Sequence, residues 1–171
     1  CNAVSDLNQG RLQKTAQNCA KFCRIGEPMR LTTRTNLAMR TLMFCAVNHG
    51  RIVRKHEIAV ACGASENHLA QVIHLLARQD LLKTRRGRAG GLMLGSDASE
   101  IKVGTVFRIF EQVLPFTDCS ENSSSCPLSG ACRLKCVLAS ALEGFYKTLD
   151  SVSLQDLVGG NTGLEELLRV A

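Results

Sequence analysis

The stretch VRKHEIAVACGASENHLAQVIHLLARQDLLKTRRGRAGGLML, residues 53–94, decides the fold of this chain. Its first half predicts two short helices, at about 53–62 and 66–79, with a turn at Gly63 between them. Ser65 follows the turn and is a good N-cap for the second helix. Two short helices joined by a glycine-containing turn are typical of a helix-turn-helix, in which the second helix enters the major groove of DNA.

The second of these helices has an apolar face and a polar face. Apolar residues recur at spacings of three and four, which predicts that one side packs against a core: Leu69, Val72, Ile73 and Leu76. The other side carries groups that can form hydrogen bonds with the edges of bases. We therefore expect four residues of this helix and its cap to contact DNA: Ser65, Asn67, His68 and Gln71.

The second half of the stretch predicts a β-hairpin with a basic tip. Short apolar strands at 81–84 and 92–94 flank a loop at 85–91 that is rich in glycine and arginine. Glycine allows unusual backbone angles and a close approach to the phosphate backbone, while arginine supplies cations to phosphates or to a narrow minor groove. The arginines expected to contact DNA are Arg85, Arg86 and Arg88. A helix-turn-helix followed by such a hairpin is a winged helix.

Helical patterns also flank this stretch. Apolar residues predict an amphipathic helix at about 34–48, another at about 103–113 and a long one at 132–149, and Ser153 begins a short final element. The apolar stripe of 132–149 is broader than one small domain buries, which favours the seam of a homodimer. The predicted fold class is mainly α with a small two-stranded β-wing, a winged helix-turn-helix followed by a long C-terminal dimerisation helix.

Three cysteines lie among polar and turn residues in CSENSSSCPLSGACRLKC, residues 119–136: Cys119, Cys126 and Cys132. Thiolates that converge in such a loop suit a soft metal. Six and five residues separate them, more than in zinc ribbons or bacterial ferredoxins. The spacing favours an iron–sulfur cluster and leaves zinc, a redox disulfide and free thiols open.

Charge and cysteine count indicate the class of partner and the compartment. Residues 29–91 carry eleven basic and three acidic side chains, whereas residues 92–171 carry six basic and ten acidic ones. We therefore expect a polyanion to dock on the first half, and the alternative is that the asymmetry only reflects a solvated surface. Nine cysteines, an odd number, and the lack of a visible secretory signal favour the cytoplasm. The predicted division is an N-terminal extension of unknown role at 1–28, a DNA-binding domain at 29–96, and the cysteine loop with the dimerisation helix at 97–171.

Three runs in order carry a family resemblance: MRLTTRTNLAMRTL at 29–42, RRGRAGGLML at 85–94 and CPLSGACRLK at 126–135. From residue 29 to about 158 the chain resembles the iron–sulfur winged-helix repressors typified by NsrR and IscR, with the cysteine loop closer to the NsrR branch. The resemblance implies a homodimer that binds double-stranded DNA. No nucleotide-binding glycine motif and no nucleophile–base arrangement in the sequence favours an enzyme. It also implies a 2Fe–2S or 4Fe–4S cluster and repression that nitric oxide lifts. The implied cluster ligands are Cys119, Cys126 and Cys132.

Two positions depart from the pattern of that family. In some NsrR-like proteins an Asp from the partner subunit completes the cluster, and the matching position here is Asn36, a neutral amide. Cys136, one helical turn after Cys132, is either the alternative fourth ligand or, as the pattern favours, a packing residue of the dimer seam. The base-reading position of IscR-like proteins matches Ala70, so base reading falls to its neighbours on the helix, while the minor-groove arginine matches Arg86. A sensor of cluster status like IscR and a thiol/disulfide repressor stay as alternatives.

Overall fold

A computed structural model describes residues 32–111 and 132–169 of the chain. The elements in chain order are α1 Thr33–Val47, α2 Lys55–Cys62, α3 Glu66–Arg78, β1 Leu82–Arg85, β2 Gly91–Leu94, α4 Val103–Phe110, α5 Arg133–Asp150, α6 Leu154–Val158 and α7 Thr162–Leu168. The mainly helical architecture with one antiparallel strand pair confirms the predicted fold class. None of the helices in these two ranges is long and apolar enough to cross a membrane.

Helix α1 lies at the centre of the described residues. It contacts α2, α3, α4, α6, α7 and strand β2. The sequence predicts one apolar stripe on this helix, but the helix is buried on most sides: Phe44 and Cys45 are as inaccessible as Leu42. The reason is its position, since a helix enclosed by neighbours buries residues all round rather than along a single stripe.

Helices α2 and α3 form the predicted helix-turn-helix. Gly63 ends α2 in a left-handed conformation, with φ +60°, which glycine adopts at low cost. The Ser65 hydroxyl accepts a hydrogen bond from the His68 N–H at 3.3 Å and caps α3, as predicted. The apolar face of α3 is buried, also as predicted. Helix α2 begins at Lys55 rather than at Val53.

The wing explains that difference. Strands β1 and β2 pair with Arg85 opposite Gly91, and Val53 exchanges two backbone hydrogen bonds with Leu92, at 2.9 and 2.8 Å. Val53 is therefore extended beside β2 instead of helical. Position 91 needs glycine because a Cβ there would collide with the Val53 carbonyl oxygen. The connecting loop is 86–90, one residue shorter at each end than the sequence predicts.

Helices α4 and α5 pack through an aromatic contact and an ion pair. The rings of Phe107 and Phe145 meet edge to face with centroids 6.1 Å apart. Arg108 donates two hydrogen bonds to the Asp150 carboxylate, at 2.6 and 2.7 Å. Helix α4 ends at Phe110 with Glu111 as its C-cap, and positions 112–113 of its predicted span lie outside the described residues.

The last two helices return to α1. Leu154 in α6 and Leu168 in α7 join the core, and the Asn48 side-chain amide donates to the Leu168 carbonyl at 2.8 Å. The sequence pattern does not predict α7, because its apolar signal is short. One core therefore includes residues on both sides of position 96, the predicted end of the DNA-binding domain. The division into three segments stays a prediction.

Candidate nucleic-acid interface and cysteine loop

The outer face of α3 carries the predicted hydrogen-bonding groups. Asn67, His68 and Gln71 are exposed, and Asn67 and Gln71 lie one helical turn apart on the same side. The exposed Ser65 uses its oxygen in the cap, so its proton remains able to donate. Ala70, which precedes Gln71 in the chain, is also exposed and presents only a methyl group. Helix α3 thus presents a row of amide, imidazole and hydroxyl groups to solvent.

Arg34, in the first turn of α1, reaches this face. Its Nη2 donates a hydrogen bond to Gln71 Oε1 at 2.8 Å. Both side chains border a surface groove of about 250 Å³ between the start of α1 and α3. Arg34 is not among the residues that the sequence predicts to contact DNA. A signal was available, since the helix dipole disfavours a basic side chain in the first turn of a helix.

The start of α3 is tied to α2 by charge. The Glu66 carboxylate lies 2.9 Å from Lys55 Nζ and 3.1 Å from His56 Nδ1. Hydrogen bonds from Lys55 and then from His56 lower the pKa of Glu66. All three groups are solvent-exposed, so the pairs add little stability. They do neutralise the only acidic side chain in the first turn of α3, which favours approach of a polyanion.

The wing presents cations without counterions. Lys83, Arg85, Arg86 and Arg88 are all exposed. Within the part of the chain that the structure describes, none of their side chains takes part in a hydrogen bond or ion pair. Gly87, at φ +103°, turns the tip between them. The three arginines predicted to contact DNA therefore have donors available for phosphates or base edges.

Of the predicted cluster ligands, only Cys132 lies within the described residues. It is half-buried and occupies the N-cap position of α5, and Cys136 is exposed one turn later. Asn36 is exposed on α1. Cys119 and Cys126 lie in the segment 112–131, outside the described residues. Across 32–111 and 132–169 no three His, Cys, Asp or Glu side chains form a metal-binding group, so the three-cysteine site stays a prediction.

Glu111 is the last described residue before the segment that contains Cys119 and Cys126. Its side chain is buried, and Oε1 accepts hydrogen bonds from the Thr32 N–H at 2.8 Å and the Thr35 hydroxyl at 2.6 Å. Burial raises the pKa of Glu111, but these hydrogen bonds outweigh it and the pKa is lowered. A carboxylate at the N-terminus of α1 also suits the helix dipole. No local sequence pattern indicates this link.

Two further cysteines are structural. Burial raises the pKa of Cys45 to about 12, and it raises the pKa of Cys62 although Arg40 opposes the change. The thiolate is the form of cysteine that reacts and binds metals. Cys45 and Cys62 therefore behave as small apolar core residues.

The comparisons with known proteins agree with this geometry. The Rrf2 family model, described as an iron-dependent transcriptional regulator, matches residues 31–160. Protein aau3 of Rhizobium meliloti (strain 1021) is 39% identical over 148 residues, which cover 82% of this chain and 96% of that protein.

Two solved structures share the fold over most of the chain. IscR of T. potens has a TM-score of 0.60 at 26% identity, covering 84% of this chain and 93% of that one. CymR (YrzC), titled the global cysteine regulator of B. subtilis, has a TM-score of 0.59 at 25% identity, covering 77% and 97%. With its exposed α3 face and basic wing, the chain belongs to the Rrf2 family of winged-helix transcriptional regulators.

Proposed function

We propose that this protein is a homodimeric repressor that holds an iron–sulfur cluster and releases its promoters when nitric oxide damages the cluster. The observation that carries the DNA-binding part is the pairing of an exposed α3 face with wing arginines that have no partner among the described residues. The cluster and the signal rest on the three-cysteine motif and the resemblance to NsrR-like proteins. The protein acts in the cytoplasm.

Docking follows from the two elements. Helix α3 enters the major groove, where Asn67, His68 and Gln71 meet base edges. The wing lies over the adjacent backbone, with Arg86 directed to the minor groove. Two copies related by a twofold axis would place their α3 helices roughly 34–36 Å apart, one turn of B-DNA.

Helix α5 is the proposed dimer seam. It has no buried residue within the described chain, and Leu134 and Val137 are 56% and 62% exposed. Its 18 residues span about 27 Å. Apolar side chains lined up on one solvent-facing helix indicate an interaction site, and α5 of a second copy would cover them.

The cluster would be held by Cys119, Cys126 and Cys132. The half-buried Cys132 at the start of α5 fits this role, because the helix dipole favours a thiolate there. The fourth ligand is either Asn36 of the partner subunit or Cys136, and both positions are exposed. When bound, the cluster supplies iron with which nitric oxide reacts.

The chain has a short route from the cysteine segment to α3. Glu111 adjoins that segment in sequence and is hydrogen-bonded to Thr32 and Thr35 at the start of α1. Arg34, which lies between these two threonines in the chain, donates a hydrogen bond to Gln71 on α3. A change in the segment that displaces Glu111 would shift the start of α1 and the α3 face with it. A switch from mostly bound to mostly free DNA needs a difference of only a few kcal/mol.

The test is an anaerobic preparation of the full chain, with its absorbance spectrum, iron and acid-labile sulfide measured, and with DNA affinity measured before and after nitric oxide. We expect a coloured protein whose affinity falls when nitric oxide is added. Cys126→Ala should be colourless yet still dimeric. Cys19→Ala, outside the family match, is the matched control and should keep the cluster. A colourless wild-type protein that regulates normally would refute the proposal.

A second candidate is a thiol/disulfide repressor, because the spacing of the three cysteines also leaves a redox disulfide open. It predicts no iron or sulfide in the anaerobic preparation and a DNA affinity that responds to a disulfide-forming oxidant. An IscR-like sensor of cluster status predicts instead a coloured protein whose DNA affinity nitric oxide leaves unchanged.

A further inference from the structure

The contact between Arg34 and Gln71 determines which hydrogen-bonding group Gln71 offers to DNA. A guanidinium group has donors and no acceptor. The side-chain amide of Gln71 must therefore turn its oxygen towards Arg34, as the 2.8 Å hydrogen bond from Nη2 to Oε1 records. The amide nitrogen, with its two hydrogens, is the group left free.

This orientation matters for base recognition. A glutamine that is free to rotate pairs with adenine through both of its ends, accepting from N6 and donating to N7. With its oxygen turned towards Arg34, Gln71 presents chiefly the two donors of its amide nitrogen to DNA, although the oxygen keeps one acceptor lone pair. Guanine presents two adjacent acceptors in the major groove, N7 and O6, and suits a pure donor.

We infer that Arg34 is a positioning residue that makes Gln71 read guanine in preference to adenine. The inference rests on the proposed DNA binding and concerns the specificity of that same face. Arg34 belongs to α1 and not to the helix-turn-helix, so specificity on α3 is set partly from outside the motif.

The surroundings favour persistence of the contact when DNA binds. The described residues that line the groove are Thr33, Arg34, Leu37, His68, Gln71 and Val72. None of them is acidic, so none competes with Gln71 for the Arg34 guanidinium. Arg34 has five donors, of which the contact with Gln71 uses one. The others can meet a phosphate without releasing the amide, and removal of water by the DNA strengthens the hydrogen bond.

The experiment selects preferred sites from a random pool of double-stranded DNA, using the full chain purified anaerobically. The affinity is then measured for all four base pairs at each position of the selected site. The position read by Gln71 is the one where Gln71→Ala abolishes preference. We expect the wild type to favour guanine over adenine there by roughly tenfold, as for one good base contact. In Arg34→Ala the ratio should fall to about one or invert towards adenine.

Two further variants separate specificity from charge. Arg88→Ala removes one positive charge from the wing and should weaken binding while leaving the ratio at the Gln71 position unchanged. Gln71→Glu keeps a partner for Arg34 but loses the donors, and should move the preference to cytosine, which offers a donor. Retained guanine preference in Gln71→Glu would refute the inference.

The failures are distinguishable. Three outcomes refute the role of Arg34 alone. Arg34→Ala keeps the wild-type ratio of guanine to adenine affinity, the wild type prefers adenine, or Gln71→Ala changes no base preference at the selected site. A pool that yields no preferred sequence refutes the DNA-binding proposal and this inference together.

Discussion

Replacing Glu111 with alanine tests the link between the end of α4 and the start of α1. The substitution removes the acceptor of two hydrogen bonds, from the Thr32 N–H and the Thr35 hydroxyl. Thr32 is exposed, so water can replace its partner, whereas Thr35 is 0% exposed and water cannot reach it. The loss in free energy of unfolding therefore comes mainly from the buried hydroxyl.

A buried polar group left without a partner costs about 1–3 kcal/mol. The Thr35 hydroxyl has one alternative, because the Thr32 hydroxyl lies 2.9 Å away. This alternative places the expected loss in the lower part of that range, about 1–2 kcal/mol. Glu100, an exposed carboxylate, is the matched control, and Glu100→Ala should change stability by less than about 0.5 kcal/mol.

The assay is urea unfolding of the wild type, Glu111→Ala, Thr35→Val and the double variant, all prepared in the same cluster state. The double variant removes both the Thr35 hydroxyl and the Glu111 carboxylate, so neither is left buried without a partner. Its loss in free energy of unfolding should therefore be smaller than the sum of the two single losses, by about 1 kcal/mol. Losses that add to within about 0.3 kcal/mol would refute a direct energetic link.

The pH dependence has a defined sign, because the pKa of Glu111 is lowered in the folded protein. Its contribution to stability is complete at neutral pH and is lost as the pH falls through that pKa, so the melting temperatures of wild type and Glu111→Ala should approach each other as the pH is lowered; a constant difference would contradict this. Arg86→Ala should weaken binding at all DNA sites and reduce the slope of affinity against salt by about one unit, whereas unchanged binding would remove the wing from the interface. Val137→Lys should leave the fold intact and halve the mass measured by light scattering; a surviving dimer would exclude α5 as the seam. Cys45, with a pKa of about 12, should resist alkylation until the protein unfolds, and equal labelling of native and unfolded protein would show otherwise.

The helix-turn-helix and the wing were predictable because their signals are local. The left-handed Gly63, the Ser65 cap and the apolar spacing of α3 each involve residues within a few positions of one another. Where a segment distant in the chain pairs with a residue, the predicted boundary of the helix is wrong. Val53 fits a helical pattern but pairs with β2, since a strand edge offers its backbone two hydrogen bonds.

The candidate site divides in the same way. The sequence alone determined the exposed row on α3, the basic wing and the family, because composition and turn chemistry carry them. It could not indicate that Arg34 reaches Gln71, 37 positions away, or that Glu111 accepts from Thr35, 76 positions away. Only the packing of α1 at the centre of the core brings these groups within hydrogen-bonding distance, because a contact between segments far apart in the chain leaves no periodic trace in either of them.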